Sequence, residues 1–177
     1  MGNPKRCSDA VERLNADPDP TGATGLTTHS RFPIPDSHPF SLPTRVYWED
    51  TDAGGVVYHA QYVAFLERAR TEWVRALGYG QDVLRLSHDL VFAVRAMRID
   101  FRRPARLDDA LQVTVSLRRC RHASVVFAQS ILREGEKLLD AEVRCAALDA
   151  STFRPRAIPE PLYRQLNRLV EPGAEDE

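Results

Sequence analysis

The stretch TRVYWEDTDAGGVVYHAQYVAFLERARTEWVRALG, residues 44–78, changes its pattern twice. Residues 44–49 are β-branched and aromatic, which predicts a short strand. Asp50-Thr51-Asp52-Ala53-Gly54-Gly55 is turn chemistry: short acidic side chains that bond nearby amides, and two glycines without a Cβ. From Ala60 to Leu77 the apolar residues recur every three or four positions, at Tyr62, Phe65, Leu66, Ala69, Trp73 and Leu77, the period of an amphipathic helix. Glu67, Arg68, Arg70, Thr71, Glu72 and Arg75 fall to the opposite face, and Gly78 is a natural stop. Such a helix is about 27 Å long at roughly 1.5 Å per residue, and its apolar face needs a broad surface to cover it.

The rest of the chain supplies that surface. Residues 91–101 read as a strand. Residues 110–117 alternate cleanly, with Leu111, Val113, Val115 and Leu117 against Gln112, Thr114 and Ser116. Residues 124–132 are apolar on both faces, as a central or interface strand is. Glu134-Gly135-Glu136 is a hairpin signal. Beyond it Leu139, Ala141, Val143, Cys145 and Ala147 line one face, against Asp140, Glu142 and Arg144. Short helices are expected over 80–87 and 159–169, the latter with proline in its first turn. The order is strand, long helix, then four consecutive antiparallel strands. That is an α+β solution, one long helix wrapped by a curved antiparallel sheet of about five strands, the layout of the hotdog fold.

The folded unit is placed at residues 44–170. Residues 1–43 hold seven of the twelve prolines and read as a disordered or loosely draped arm, with a short helix near 8–15. Residues 171–177 carry four acids and read as an acidic tail. The 177 residues sum to a net charge of -1, which argues against a dominant nucleic-acid or anionic-membrane role. Residues 44–158 taken alone are mildly basic, with 18 basic and 15 acidic side chains. Only Lys5 and Lys137 are lysines, so the basic set is almost all arginine. Cys7, Cys120 and Cys145 have neither disulfide-framework nor zinc spacing, which fits a reducing compartment. No apolar run is long enough for a membrane span, and the start lacks the apolar core of a secretory signal, so the cytoplasm is the expected location.

Chemistry concentrates in the loop from Glu49 to His59. A helix start presents unpaired N–H groups and partial positive charge, and the glycines allow close approach. A carboxylate, an imidazole and free amides converging there suit attack on a polarised carbonyl. Capping and turn chemistry explain the two aspartates equally well. A metal held by Asp50, Asp52 and His59 is a further alternative.

The run from Arg45 to Arg70, RVYWEDTDAGGVVYHAQYVAFLERAR, resembles the 4-hydroxybenzoyl-CoA thioesterase family of hotdog proteins, and within it the tol-pal-associated, YbgC-like acyl-CoA thioesterases. The likeness extends more weakly over residues 44–160. It implies an acyl-CoA thioesterase, with Asp52 as the catalytic carboxylate (base or nucleophile) and His59 as its partner. It implies amides of residues 58–61 on the carbonyl oxygen, and neither metal nor organic cofactor. It also implies homodimers or homotetramers, joined sheet edge to sheet edge, with sites at the interface. Acyl carrier protein is a possible alternative carrier. Trp48 departs from the tyrosine common in close relatives. Trp48, Tyr58, Arg102 and Arg103 are the expected substrate-binding residues.

Arg102, Arg103 and Arg106, and separately Arg118, Arg119 and Arg121, are candidates for the phosphates of coenzyme A. Glu67 is a second helix carboxylate, read more simply as solvated. Cys120 and His122 offer a nucleophile pair, read more simply as coincidence. Two rival functions are an acyl-CoA or acyl-carrier-protein binding module and a hotdog 3-hydroxyacyl thioester dehydratase.

Overall fold

The computed structural model describes residues 39–171. The expected helix near 8–15, the arm up to residue 38 and the tail beyond residue 171 lie outside the described residues. Five antiparallel strands form one sheet in the order β1-β3-β4-β5-β2: β1 Phe40–Arg45, β2 Leu90–Phe101, β3 Ala110–Arg121, β4 Ser124–Arg133 and β5 Glu136–Asp149. The helix α1, His59–Ala76, lies across the inner face of the sheet, with α2 (Gln81–His88) and α3 (Glu160–Arg168) beside it. This is the α+β arrangement that the element order predicts.

The α1 core is built by Tyr62, Phe65, Leu66, Ala69, Trp73 and Val74, all buried. Trp73 meets Phe127 of β4 edge-on at 5.5 Å, and burial of each large side chain contributes roughly 1.5–3 kcal/mol. Gly78 ends the helix region with φ +91, a left-handed conformation that glycine adopts without strain. The polar-face assignment fails at Arg70, which is buried. Its guanidinium donates to Gln129 Oε1 at 2.7 Å, and Gln129 Nε2 donates to the carbonyl of Leu66 at 3.0 Å. A polar residue on each layer satisfies the other, so a buried polar pair replaces an apolar contact.

The first strand lies at Phe40–Arg45 rather than at 44–49. Pro39 and Pro43 suggest an irregular arm, but β1 is an edge strand, where a missing N–H is tolerated. Phe40 and Leu42 face the core, so residues 40–43 belong to the sheet. Pairing ends where Val46 exchanges two backbone hydrogen bonds with Asp108 and Asp109, and Trp48–Asp50 then winds into one 3₁₀ turn. β4 is the central strand, as its two apolar faces predict. The β4–β5 hairpin turns through Glu134 (φ 51) and Gly135 (φ 83), the paired left-handed residues of a type I′ turn. Three register shifts interrupt the ladders, at Val94/Ala96 in β2, at Leu117/Arg119 in β3 and at Ile131/Leu132 where β4 pairs with β5.

Candidate active site

The loop between β1 and α1 is closed at its base. Thr51 and Val57 form an isolated antiparallel bridge, and the Asp52 N–H donates to the Val56 carbonyl at 2.9 Å. The Gly55 N–H returns to the Asp52 carbonyl at 3.0 Å, with Gly55 at φ +72. Residues 51–57 therefore make a small hairpin with residues 53–55 at its tip. Asp52 Oδ1 accepts the Gly54 N–H at 2.8 Å. A Cβ at Gly54 would sit 3.0 Å from that oxygen, so glycine there lets the carboxylate lie against the backbone. Asp52 is solvent-exposed, and Oδ2 has no hydrogen bond among the described residues.

Asp50, two positions earlier, is the opposite case. It is buried, with Oδ2 accepting the Tyr47 N–H at 2.7 Å and Oδ1 accepting Gln61 Nε2 at 2.6 Å. Its carbonyl accepts the Tyr58 N–H at 2.9 Å. Asp50 thus ties the 3₁₀ turn to the start of α1. A second tie runs through Ala105, whose carbonyl accepts the Val57 N–H at 2.9 Å and whose N–H donates to the Tyr62 hydroxyl at 2.8 Å. Burial pushes the Tyr62 phenol above its ordinary pKa, outweighing the Ala105 N–H, and keeps it neutral. The sequence offers Asp50 only as a possible metal ligand and Gln61 only through its amide, and nothing in it marks the anchoring roles of Asp50, the Gln61 side chain, the Tyr62 hydroxyl or Ala105.

His59 is the first residue of α1, exposed, with its ring 4.3 Å from that of Tyr58. No hydrogen bond joins the Asp52 carboxylate and the His59 imidazole within the chain. Of the amides at 58–61, Tyr58 donates to Asp50 and Gln61 donates to Tyr58, so both are already used. Tyr58 at the cap position has no side-chain cap bond, and the His59 and Ala60 N–H groups have no partner among the described residues. The expected donor set narrows to those two.

Trp48 is 78% exposed in the 3₁₀ turn and Tyr58 48% exposed at the helix cap, one on each side of the hairpin in sequence. Arg102 and Arg103 are both occupied. Their N–H groups share the Leu138 carbonyl, and their guanidinium groups pair with Asp140 at 2.7 Å and Glu136 at 2.9 Å. Partial burial would raise the Asp140 pKa, but hydrogen bonds from Lys137, Ser130 and Arg102 hold it below the ordinary carboxylate value. A phosphate contact by either arginine would share its guanidinium with these carboxylates.

The alternatives meet physical obstacles. Asp50 has both carboxylate oxygens committed inside the fold, which removes it from any metal shell with Asp52 and His59. Among the described residues no group of three or more His, Cys, Asp or Glu side chains is arranged to hold a metal ion. Burial pushes the Cys120 thiol up to about 11, and His122 lies in the β3–β4 turn stacked on Tyr163 at 4.8 Å, so the two do not form a nucleophile pair. Glu67 faces outward and accepts from Thr71 at 2.6 Å, as a solvated helix residue does.

Residues 46–166 match the thioesterase-like superfamily. The acyl-CoA thioesterase YbgC of Haemophilus influenzae is 42% identical over 130 residues, covering 73% of this chain and 96% of that protein. The acyl-CoA thioester hydrolase YbgC of Escherichia coli O6:H1 is 44% identical with the same coverage. Among solved structures, a probable thioesterase from Bartonella henselae superposes with a TM-score of 0.66 at 36% identity, covering 69% of this chain and all of that one. The sheet order, the helix across it and these matches together show that the chain belongs to the hotdog thioesterase-like superfamily, alongside the YbgC acyl-CoA thioesterases.

Proposed function

We propose that the chain acts as an acyl-CoA thioesterase in which Asp52 serves as general base or nucleophile. The observation that carries this reading is the asymmetry of the loop. One aspartate is spent on holding it, while Asp52 is exposed, has a free oxygen and is oriented by a glycine amide. Two unpartnered N–H groups open the adjacent helix.

A thioester bound there points its carbonyl oxygen at the His59 and Ala60 amides, which stabilise the oxyanion as it develops. As base, Asp52 takes a proton from water, whose oxygen attacks the carbonyl carbon. The C–S bond then breaks and the thiolate of coenzyme A leaves, taking up a proton. As nucleophile, the carboxylate itself attacks and forms an acyl anhydride that water cleaves. His59 orients the water or carries the proton to sulfur. Asp52→Asn keeps an oxygen to accept the Gly54 N–H while removing the base. It should lower kcat by roughly 100- to 10,000-fold in a free-thiol release assay over short, long and aromatic acyl-CoAs. Turnover near the parent rate would end the assignment. Acyl-CoA binding without turnover in the parent protein would make it a binding module.

The active form is a homodimer joined through β2, with sites at the interface. β2 is a sheet edge twelve residues long, with Val94 51% and Phe101 54% exposed. A long apolar edge of this kind is normally covered. A monomer at all concentrations in sedimentation equilibrium would refute this. Cytoplasmic location belongs to the same proposal, supported by the free buried thiols Cys120 and Cys145 and by the location of coenzyme A chemistry.

A further inference from the structure

Arg70 is the one buried cation among the described residues, 7% exposed, and no carboxylate of those residues pairs with it. Glu67, whose charge reaches it, is exposed and accepts from Thr71 instead. Gln129 Oε1 gives Arg70 Nη1 a neutral acceptor at 2.7 Å. Every fully buried side-chain nitrogen and oxygen of the described residues has a hydrogen-bond partner. Arg70 Nε and Nη2 have none, so solvent reaches these two atoms. The guanidinium is therefore sunk into the core but open along one side. A buried charge is normally paired, because leaving it unmatched is costly.

The open side and the catalytic loop share one line of the helix. His59, Val63, Leu66 and Arg70 follow at steps of four, three and four residues, which places them on one stripe of α1. Along the stripe the residues pass from exposed His59, through half-buried Val63, to buried Leu66 and Arg70. It starts at the His59 and Ala60 amides. On the sheet side, Gln129 pairs with Ala141 of β5, a short side chain between Leu139 and Val143 on the same face. The stripe belongs to α1 and its floor to β4 and β5, so pairing of two chains through β2 does not use these side chains. Gln129 Nε2 donates to the Leu66 carbonyl, which fixes the guanidinium near the level of Leu66. Leu66 is six residues beyond Ala60, about 9 Å along the helix at roughly 1.5 Å per residue.

We propose that Arg70 determines specificity by receiving a carboxylate at the far end of the acyl group, so that the preferred substrate is the coenzyme A thioester of a straight-chain dicarboxylic acid. This rests on the thioesterase reading above. The thioester carbonyl stays at the helix start, and the methylenes lie along Val63 and Leu66. The terminal carboxylate accepts from Nε and Nη2, the side of the guanidinium that forms a two-bond fork. With bonds of about 1.5 Å, an extended chain of roughly six to nine carbons spans the gap. A plain fatty chain of that length sets a methyl group against the charge and leaves it unmatched.

The test compares suberyl-CoA with octanoyl-CoA, and adipyl-CoA with hexanoyl-CoA, by free-thiol release. The parent should favour the carboxylated member of each pair by about tenfold or more in kcat/KM. Arg70→Met/Gln129→Leu removes both halves of the buried polar pair and should lower that ratio about tenfold or more. A loosened fold slows both members of a pair alike and leaves their ratio unchanged. Free suberate should raise the unfolding temperature of the parent and not of the double variant, a readout that needs no turnover and also shows that the variant folds. The proposal falls if the parent has no such preference, if the double variant keeps it, or if suberate stabilises both proteins equally or neither. Turnover of octanoyl-CoA and suberyl-CoA at equal rates would end it while leaving thioester hydrolysis in place. Suberate stabilisation that depends on Arg70, in a protein that hydrolyses no acyl-CoA, would keep the carboxylate site and end the thioesterase reading.

Discussion

Replacing Asp50 with alanine tests whether the loop is held as its hydrogen bonds imply. The carboxylate is buried and accepts two bonds, from the Tyr47 N–H at 2.7 Å and Gln61 Nε2 at 2.6 Å. Each bond to a charged acceptor contributes about 1.5–3 kcal/mol, and alanine leaves both donors unmatched. Because the two bonds share one group their losses are not additive, and the expected cost is roughly 2–4 kcal/mol. For a domain of this size that is a fall of about 10 °C in Tm. Thermal unfolding by circular dichroism reads it directly. A cycle of Asp50→Ala, Gln61→Ala and the double variant should show a coupling of about 1–2 kcal/mol. Thioester turnover should drop about tenfold or more, because the start of α1 and the Asp52 hairpin lose their common anchor. Asp52→Asn should show the reverse split, with a large rate loss and a small Tm change. An Asp50→Ala protein that melts within about 1 °C of the parent, or a cycle with no coupling, would refute the reasoning.

Tyr62→Phe removes the acceptor of the buried Ala105 N–H and should cost about 1–3 kcal/mol in urea unfolding, with turnover reduced alongside. Arg70→Met leaves Gln129 Oε1 unmatched in the core and should cost about as much, whereas Arg70→Met/Gln129→Leu should recover much of the loss. Asp149 accepts bonds from the hydroxyls and amides of Ser151 and Thr152, which depress its pKa well below the ordinary value. A depressed carboxylate stabilises the fold above its unfolded pKa of about 3.9, and that contribution disappears as the pH falls below it. Asp149→Asn should therefore melt below the parent at pH 7, with the gap closing progressively below about pH 4.

The fold was legible because two periods, three to four residues over α1 and two over β3 and β5, leave few ways to bury the apolar residues. The errors share a cause. Proline at 43 is evidence against a central strand but not against an edge, and edge position is a property of the sheet rather than of the segment. Arg70 reads as solvent-facing because charge is the only information at that position. What buries it is Gln129, 59 residues later, which supplies the acceptor. The bulge at Arg95 is hidden for the same reason. Nothing in AVRAM marks an extra residue until β5 fixes the register beside it.

The candidate site shows the same limit at shorter range. Asp50 and Asp52 have the same side chain and sit two positions apart, yet they are put to different uses. The backbone decides the difference. The 3₁₀ turn at Trp48–Asp50 swings Asp50 inward, under Tyr47 and against Gln61, whereas the Thr51–Val57 bridge holds Asp52 out on a hairpin. The buried aspartate accepts from two donors and fixes the geometry. The exposed one keeps an oxygen free and faces the solvent from which a water or a thioester arrives. Glu49, Thr51 and Ala53 are not buried, so a carboxylate moved by one residue from Asp50 would lose the buried anchoring position. The spacing of the pair therefore follows from the turn that separates them, and the glycines at 54 and 55 allow that turn to close in seven residues, 51–57.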